Sequence, residues 1–203
     1  MSDTREKILQ TALSLFAKDG YEAVSVSDIA GELGMTKGAL YRHYTSKKDI
    51  LDSIAARMAQ LDAEQTKTYS LPEATAAAID RGSVTVDGII SYGGAMFRFW
   101  AADGFASRFR RLLTLEQFRS EEMGALYQQY LVSGPMVYLS RLFAALGLAK
   151  PHRAAVEFYS PLFLLFGVYD GAPNSDAVLA AVDDHLESSR NKLRETTKYA
   201  RRS

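Results

Sequence analysis

Between Ser25 and Lys48 the chain reads S-V-S-D-I-A-G-E-L-G-M-T-K-G-A-L-Y-R-H-Y-T-S-K-K, and no other stretch constrains the fold as tightly. Ser25 with Asp28 three residues on is a helix-capping pair, and Val26, Ile29, Ala30 and Leu33 then recur on one helical face. Gly34 breaks that helix; Thr36 caps a second, which is expected to run to about Tyr44. Ser46 and Asp49 repeat the cap and open a longer helix carrying Ile50, Leu51, Ile54, Met58 and Leu61. Upstream, Asp3 and Glu6 precede an apolar stripe of Ile8, Leu9, Ala12, Leu15 and Phe16 that Lys18 and Gly20 bring to an end. The first 45 or so residues therefore form a three-helix unit, with a fourth helix connecting it to the rest.

From Leu33 to Lys48 there is no acidic residue, while Lys37, Arg42, Lys47 and Lys48 are all present. A helix-turn-helix asks for this: one helix that packs, a second that enters the major groove, and cations for phosphates. Leu40 and Tyr44 are expected to pack against Val26, Ile29 and Leu33. The opposite face then presents Lys37, Gly38, Tyr41 and Arg42 together, because 37/41 and 38/42 are i,i+4 pairs. Gly38 removes a side chain where helix backbone would press on DNA, and Arg42 can grip a guanine edge in two places. His43, Lys47 and Lys48 flank the face as phosphate anchors. Formal net charge is zero over 203 residues, so affinity for DNA has to come from this local patch.

The segment resembles the N-terminal domain of the TetR family of bacterial transcriptional regulators. T-R-E-K-I-L-x-x-A-L-x-L-F-A-x-x-G-Y (Thr4–Tyr21) is similar to the family's first helix. S-V-S-D-I-A (Ser25–Ala30) and G-M-T-K-G-A-L-Y-R-H-Y-x-S-K (Gly34–Lys47) resemble its helix-turn-helix. The resemblance implies DNA contacts at Thr36, Lys37, Gly38, Ala39, Tyr41, Arg42, His43 and Lys47, with Ser25 and Ser27 approaching the backbone from the preceding helix. Three positions depart from the common pattern: Ser27 often holds a basic residue, Tyr44 is more often Phe, and Gly31 is unusual inside a helix. The implied architecture is all-α, with residues 1–60 as the DNA-binding domain and 61–203 as a helical domain for dimerisation and effector binding. The implied partners are a palindromic operator in double-stranded DNA, a second copy of the chain and a small-molecule effector.

Beyond Leu71-Pro72 the pattern stays helical: 83–102, 105–118, 121–148 with a kink at Gly134-Pro135, a helix opened by Pro151, and a last one begun at Pro173-Asn174-Ser175. Absence of Cys excludes disulfides, thiolate metal sites and a Cys nucleophile, and the start M-S-D-T-R-E-K lacks a signal peptide's apolar core. The greasiest run, 161–169, falls well short of the ~20 residues of a membrane span. The expectation is a cytoplasmic protein with no cofactor, no metal and no membrane partner. His152 and His185 stand alone, and the basic end with Arg190, Lys192, Arg194, Lys198, Arg201 and Arg202 reads as a frayed, solvated tail.

A mostly apolar pocket with a few polar groups is expected among Phe97, Trp100, Phe105, Phe109, Phe118, Tyr127 and Tyr130, with Arg98, Gln117 and Gln128 orienting a ligand; plain core is the competing reading. A ligand there would push on the 105–118 segment, and that segment on the long fourth helix, taken as the only covalent link between reader and effector domain. Residues 161–169 are apolar all round, so that helix and the last one are expected to pair with their mates through Phe158, Leu162, Phe166, Val178, Val182 and His185. The main reading is a dimeric repressor released by a small apolar or aromatic ligand. An effector-independent or protein-controlled regulator stays open beside it, as does a helical enzyme or carrier for an apolar molecule. Against the enzyme stands the lack of any nucleophile elbow, phosphate loop or H-E-x-x-H motif, so no catalytic residue is assigned.

Overall fold

A computed structural model describes residues 3–74, 76–80 and 82–200. Ten helices and no strand occur among them: α1 (Asp3–Asp19), α2 (Val26–Glu32), α3 (Lys37–Tyr41), α4 (Lys47–Thr68), α5 (Val86–Ala102), α6 (Ala106–Glu116), α7 (Glu121–Leu131), α8 (Ser133–Ala145), α9 (Pro151–Gly171) and α10 (Asp176–Ala200). No described helix is long and apolar enough to cross a membrane.

The helix ends follow local chemistry. Ser25 and Asp28 form the full reciprocal capping box on α2. Gly34, at φ +64, closes α2 with the Gly34 and Met35 amides donating to the carbonyls of Gly31 and Ala30 at 3.0 and 2.9 Å, a Schellman arrangement. At the end of α4 the same arrangement is built on Ser70 at φ 52, the one non-glycine described residue with positive φ. Asp3 opens α1 from inside the helix, pairing with Lys7 at 2.6 Å, and does not stand before it as a cap.

The expected helix over 121–148 is two helices, because Pro135 has no amide to donate and its ring crowds the carbonyl four residues back, at Leu131, where α7 stops. The Tyr159 hydroxyl donates to that released carbonyl at 2.8 Å, and the Ser133 hydroxyl to that of Gln128 at 3.1 Å. Gly134 is required there, since a Cβ would collide with the Gln129 carbonyl.

The chain divides into two compact units, one comprising Met1–Asp62 with Asp103–Tyr127 and the other Ala63–Ala102 with Gln128–Ser203. The sequence-based expectation places the division at residue 60. Residues 103–127 join the first unit because α6 packs along α1, so the chain crosses between units at three places and α4 is not the sole link. Inside the first unit Ile8, Leu9, Leu13, Phe16, Ile29, Leu40, Ile50 and Ile54 are fully buried. The second unit is organised by α9, which packs on α8 and α10, with α5 against α10.

Candidate nucleic-acid interface

In the first unit, α2 is set by its capping box and α3 by Thr36, whose hydroxyl oxygen accepts from the Ala39 amide at 3.2 Å and keeps its proton for an external acceptor. Helix α3 ends at Tyr41, three residues earlier than the spacing predicts. Its ladder tightens as the Arg42 and His43 amides turn back to the carbonyls of Ala39 and Leu40 at 3.3 and 2.9 Å. Arg42 keeps helical φ and ψ of −72° and −18°, so the face is preserved across the cap. Leu40 and Tyr44 are buried, as expected. Tyr44 also reaches α1, donating its hydroxyl to the Arg5 carbonyl at 3.3 Å beneath the Arg5 guanidinium, 4.5 Å above the ring. Burial raises its phenol pKa, so it stays a donor.

On the outward face Thr36, Lys37, Gly38, Tyr41 and Arg42 are exposed together, Tyr41 by 44%, with the Lys37 ammonium 5.8 Å from the Tyr41 ring centroid. Ala39 and His43 are half-buried beside them. Neither Lys37 nor Arg42 forms an ion pair with a described residue, and Gly38 has open space where a Cβ would stand.

Other expected contacts are engaged within the unit. Ser25 is used up by its cap: its hydroxyl donates to Asp28 at 2.7 Å and accepts from the Asp28 amide at 3.2 Å. The Ser25 donors hold the Asp28 carboxyl below the usual range. Ser27 remains exposed. Lys47 turns under the α1–α2 connection, donating to the Tyr21 carbonyl at 2.8 Å with its ammonium 4.3 Å from the Tyr21 ring centroid. Lys48 bridges Asp52 at 2.9 Å and Glu122 at 2.6 Å, and these carboxylates raise its pKa. Groups outside the local run 33–48 therefore claim two of its cations: the earlier Tyr21 carbonyl takes Lys47, and the later Asp52 and Glu122 carboxylates take Lys48.

Sequence reasoning missed Glu116. It is 1% exposed, and its Oε1 accepts from the Tyr21 amide at 3.1 Å and from Arg119 at 3.2 Å, tying α6 to the end of α1. The 105–118 segment thus bears on α1. The only available signal was an acid at the end of an apolar helix face, which is too common to single out.

The expected pocket and interface sets fare differently. Phe97, Trp100 and Tyr130 lie in the second unit; Phe105, Phe109, Phe118 and Tyr127 lie in the first. Phe97 is core, stacked on Phe166 at 4.7 Å, and Phe109 is fully buried. Phe118, two residues past the end of α6, is 92% exposed. Trp100 and Tyr130 face each other at 6.1 Å. Arg98 is bound to Asp183 through two hydrogen bonds of 2.6 and 2.8 Å, and Gln117 to the Thr114 carbonyl.

Phe158, Leu162, Phe166, Val178 and Val182 are all buried within the second unit, and His185 bonds through Nε2 to the Phe158 carbonyl at 2.8 Å. They form the inner seam of α9 and α10 and offer no outer face. The apolar residues left exposed on α9 are Val156, Phe163, Leu164 and Val168. The basic end is not frayed through residue 194: Arg190 and Arg194 pair with Asp87, and Lys192 with Glu157. Arg201 and Arg202 lie outside the described residues.

The family model described as "Bacterial regulatory proteins, tetR family" matches residues 8–54, the span that holds this face. Over that span the chain is similar to the TetR family. The uncharacterized HTH-type transcriptional regulator YerO of Bacillus subtilis is 43% identical over 51 residues, 25% of this chain and 18% of YerO. The HTH-type transcriptional repressor KstR2 of Rhodococcus jostii is 42% identical over 53 residues, 26% of either chain. Sequence likeness to these TetR-type relatives therefore spans about a quarter of their length or less. The fold likeness is wider: a complex of SmeT with triclosan superposes with a TM-score of 0.67 at 18% identity, covering 92% of this chain and 89% of that one. SmeT is the repressor of a Stenotrophomonas maltophilia multidrug efflux pump.

Proposed function

We propose that this TetR-family chain is a sequence-specific DNA-binding transcriptional regulator, a homodimeric repressor that leaves a palindromic operator when a small apolar or aromatic ligand binds. One observation carries the DNA reading: a capped helix presents Lys37, Tyr41 and Arg42 exposed, and the two cations without an ion pair to a described residue, around Gly38, a glycine that no intramolecular contact requires. A helix-interior glycine costs about 1 kcal/mol relative to alanine, so its presence points to a surface outside the chain that comes close. Arg42 reads a base edge; Lys37, Tyr41 and the Thr36 hydroxyl serve phosphates and neighbouring bases. Lys47 and Lys48 act indirectly, by holding the reader in place.

Dimerisation is supported by the outer stripe of α9, where Val156, Phe163, Leu164 and Val168 sit around Ser160 and Gly167 with Leu164 69% exposed. A two-fold axis through such a face buries it against itself and gives two recognition helices the symmetry a palindrome has. For the effector, Trp100 and Tyr130 in the second unit remain the candidate contacts, and the triclosan-bound SmeT supports ligand control on this fold. The protein is read as a non-enzyme and as cytoplasmic.

The test is selection of a duplex from a random pool, followed by anisotropy on the selected sequence. Affinity should fall steeply with salt, and Gly38→Ala should weaken it while leaving the melting temperature unchanged or raised. Binding that ignores salt and Gly38→Ala would remove the reading.

A further inference from the structure

The second unit contains a cavity of about 480 Å³ between the end of α8, the first half of α9 and the second half of α10. None of its lining residues belongs to the aromatic set around Trp100. Its floor is apolar and buried, made by Phe143, Leu148, Phe158 and Leu193. Around it stand Lys150, Arg153 and Lys192, with Glu157 as the one carboxylate in the lining.

Glu157 accepts from Arg153 Nε at 2.8 Å and from the Lys192 ammonium. Those two cations lower its carboxyl pKa to about 2, so it stays ionised at working pH and spans α9 and α10 as a clamp. One carboxylate offsets one of three cations, and Lys150 forms no ion pair with a described residue. His185 donates from Nε2 to the Phe158 carbonyl at 2.8 Å. The volume lies within the roughly 300–1,000 Å³ of small-molecule sites.

An apolar floor beneath a cationic rim selects one ligand chemistry. A neutral apolar molecule would cover the floor and strip water from unanswered charges; a small inorganic anion would answer the charges and leave the floor wet. We propose that this cavity binds a small amphipathic anion, its carboxylate or phosphate head at Lys150 and Arg153 and its apolar body against Phe143, Leu148, Phe158 and Leu193. The site is separate from the DNA-reading face and from the effector contacts proposed above, and it does not depend on either.

The experiment is calorimetric titration of the full chain with decanoate, decyl phosphate and decanol, in wild type, Lys150→Gln/Arg153→Gln and Ser189→Phe. Ser189 lines the cavity from α10, so a phenyl ring there fills it from the wall other than the one that carries Arg153. One anion should bind per chain, with decanol at least tenfold weaker. The double variant should lose about tenfold in anion affinity, Ser189→Phe should abolish binding, and Trp100→Ala should leave it unchanged. Whichever of decanoate and decyl phosphate binds more tightly identifies the head group. Should Ser189→Phe fail to fold, Thr196→Phe, exposed on the same wall, takes its place. Equal affinity for decanol and decanoate, or wild-type decanoate affinity in a folded filled variant, overturns the proposal.

Discussion

The outward face of α3 and the outer stripe of α9 both leave something unanswered, in opposite chemistries. On α3 the unanswered element is charge: Lys37 and Arg42 stand in solvent while nearby Lys47 and Lys48 are tied down by carbonyls and carboxylates. On α9 it is apolar area: Phe163, Leu164 and Val168 point away from a core that Phe158, Leu162 and Phe166 already fill. Charge in water costs little, so the α3 face is stable alone, and in the proposed function it answers to a polyanion. Exposed apolar area is a standing drive towards association. Under the proposed function, one helix waits for DNA and the other for its own copy.

The sharpest way to break this comparison is to place one charge on each side of α9. Phe166→Asp should unfold the second unit, because it buries an unpaired carboxylate in the core, a change costing about 3–5 kcal/mol. Leu164→Asp should leave the melt nearly unchanged and turn the dimer monomeric in light scattering, with operator affinity falling at least tenfold. A folded, dimeric Leu164→Asp would move the interface off this stripe.

Glu116→Ala tests whether the reader is held from outside its own three helices. It leaves the Tyr21 amide without its acceptor and should cost about 1–3 kcal/mol in chemical denaturation. DNA affinity should drop with it, since α6 then no longer fixes the end of α1; an unchanged denaturation midpoint would show that Glu116 is not a tie.

Arg42→Ala should cost about 1–3 kcal/mol of operator binding and relax the base preference at one position, whereas Lys37→Ala should weaken all sequences alike and reduce the salt slope by about 1. If the two variants behave identically in both measurements, the division of labour on α3 is wrong. The smallest effect separates two glycines that look alike within the chain: Gly31 and Gly38 are both exposed and helical, with nothing within 4 Å of a built Cβ. Gly31→Ala should stabilise by about 0.5–1 kcal/mol and spare DNA binding, while Gly38→Ala should gain similar stability and lose affinity. Equal effects on affinity would dissolve the distinction.

What the sequence determined by itself is local. Caps at Ser25 and Thr36, the left-handed break at Gly34, the Pro135 interruption and the outward set Lys37, Gly38, Tyr41 and Arg42 follow from neighbours within about one helical turn, and periodicity is enough to read them. Which of several similar groups is satisfied depended on partners far along the chain. Lys48 and Arg42 look alike in the sequence, but Glu122, 74 residues on, claims one and not the other. The apolar run around Phe166 gives no sign of which residues turn inward, because every position in it is apolar and periodicity vanishes; only the packing of α8 and α10 onto α9 selects the seam. Placing residues 103–127 with the DNA-reading unit likewise rests on contacts between α6 and α1, and no local pattern encodes a contact between segments nearly a hundred residues apart.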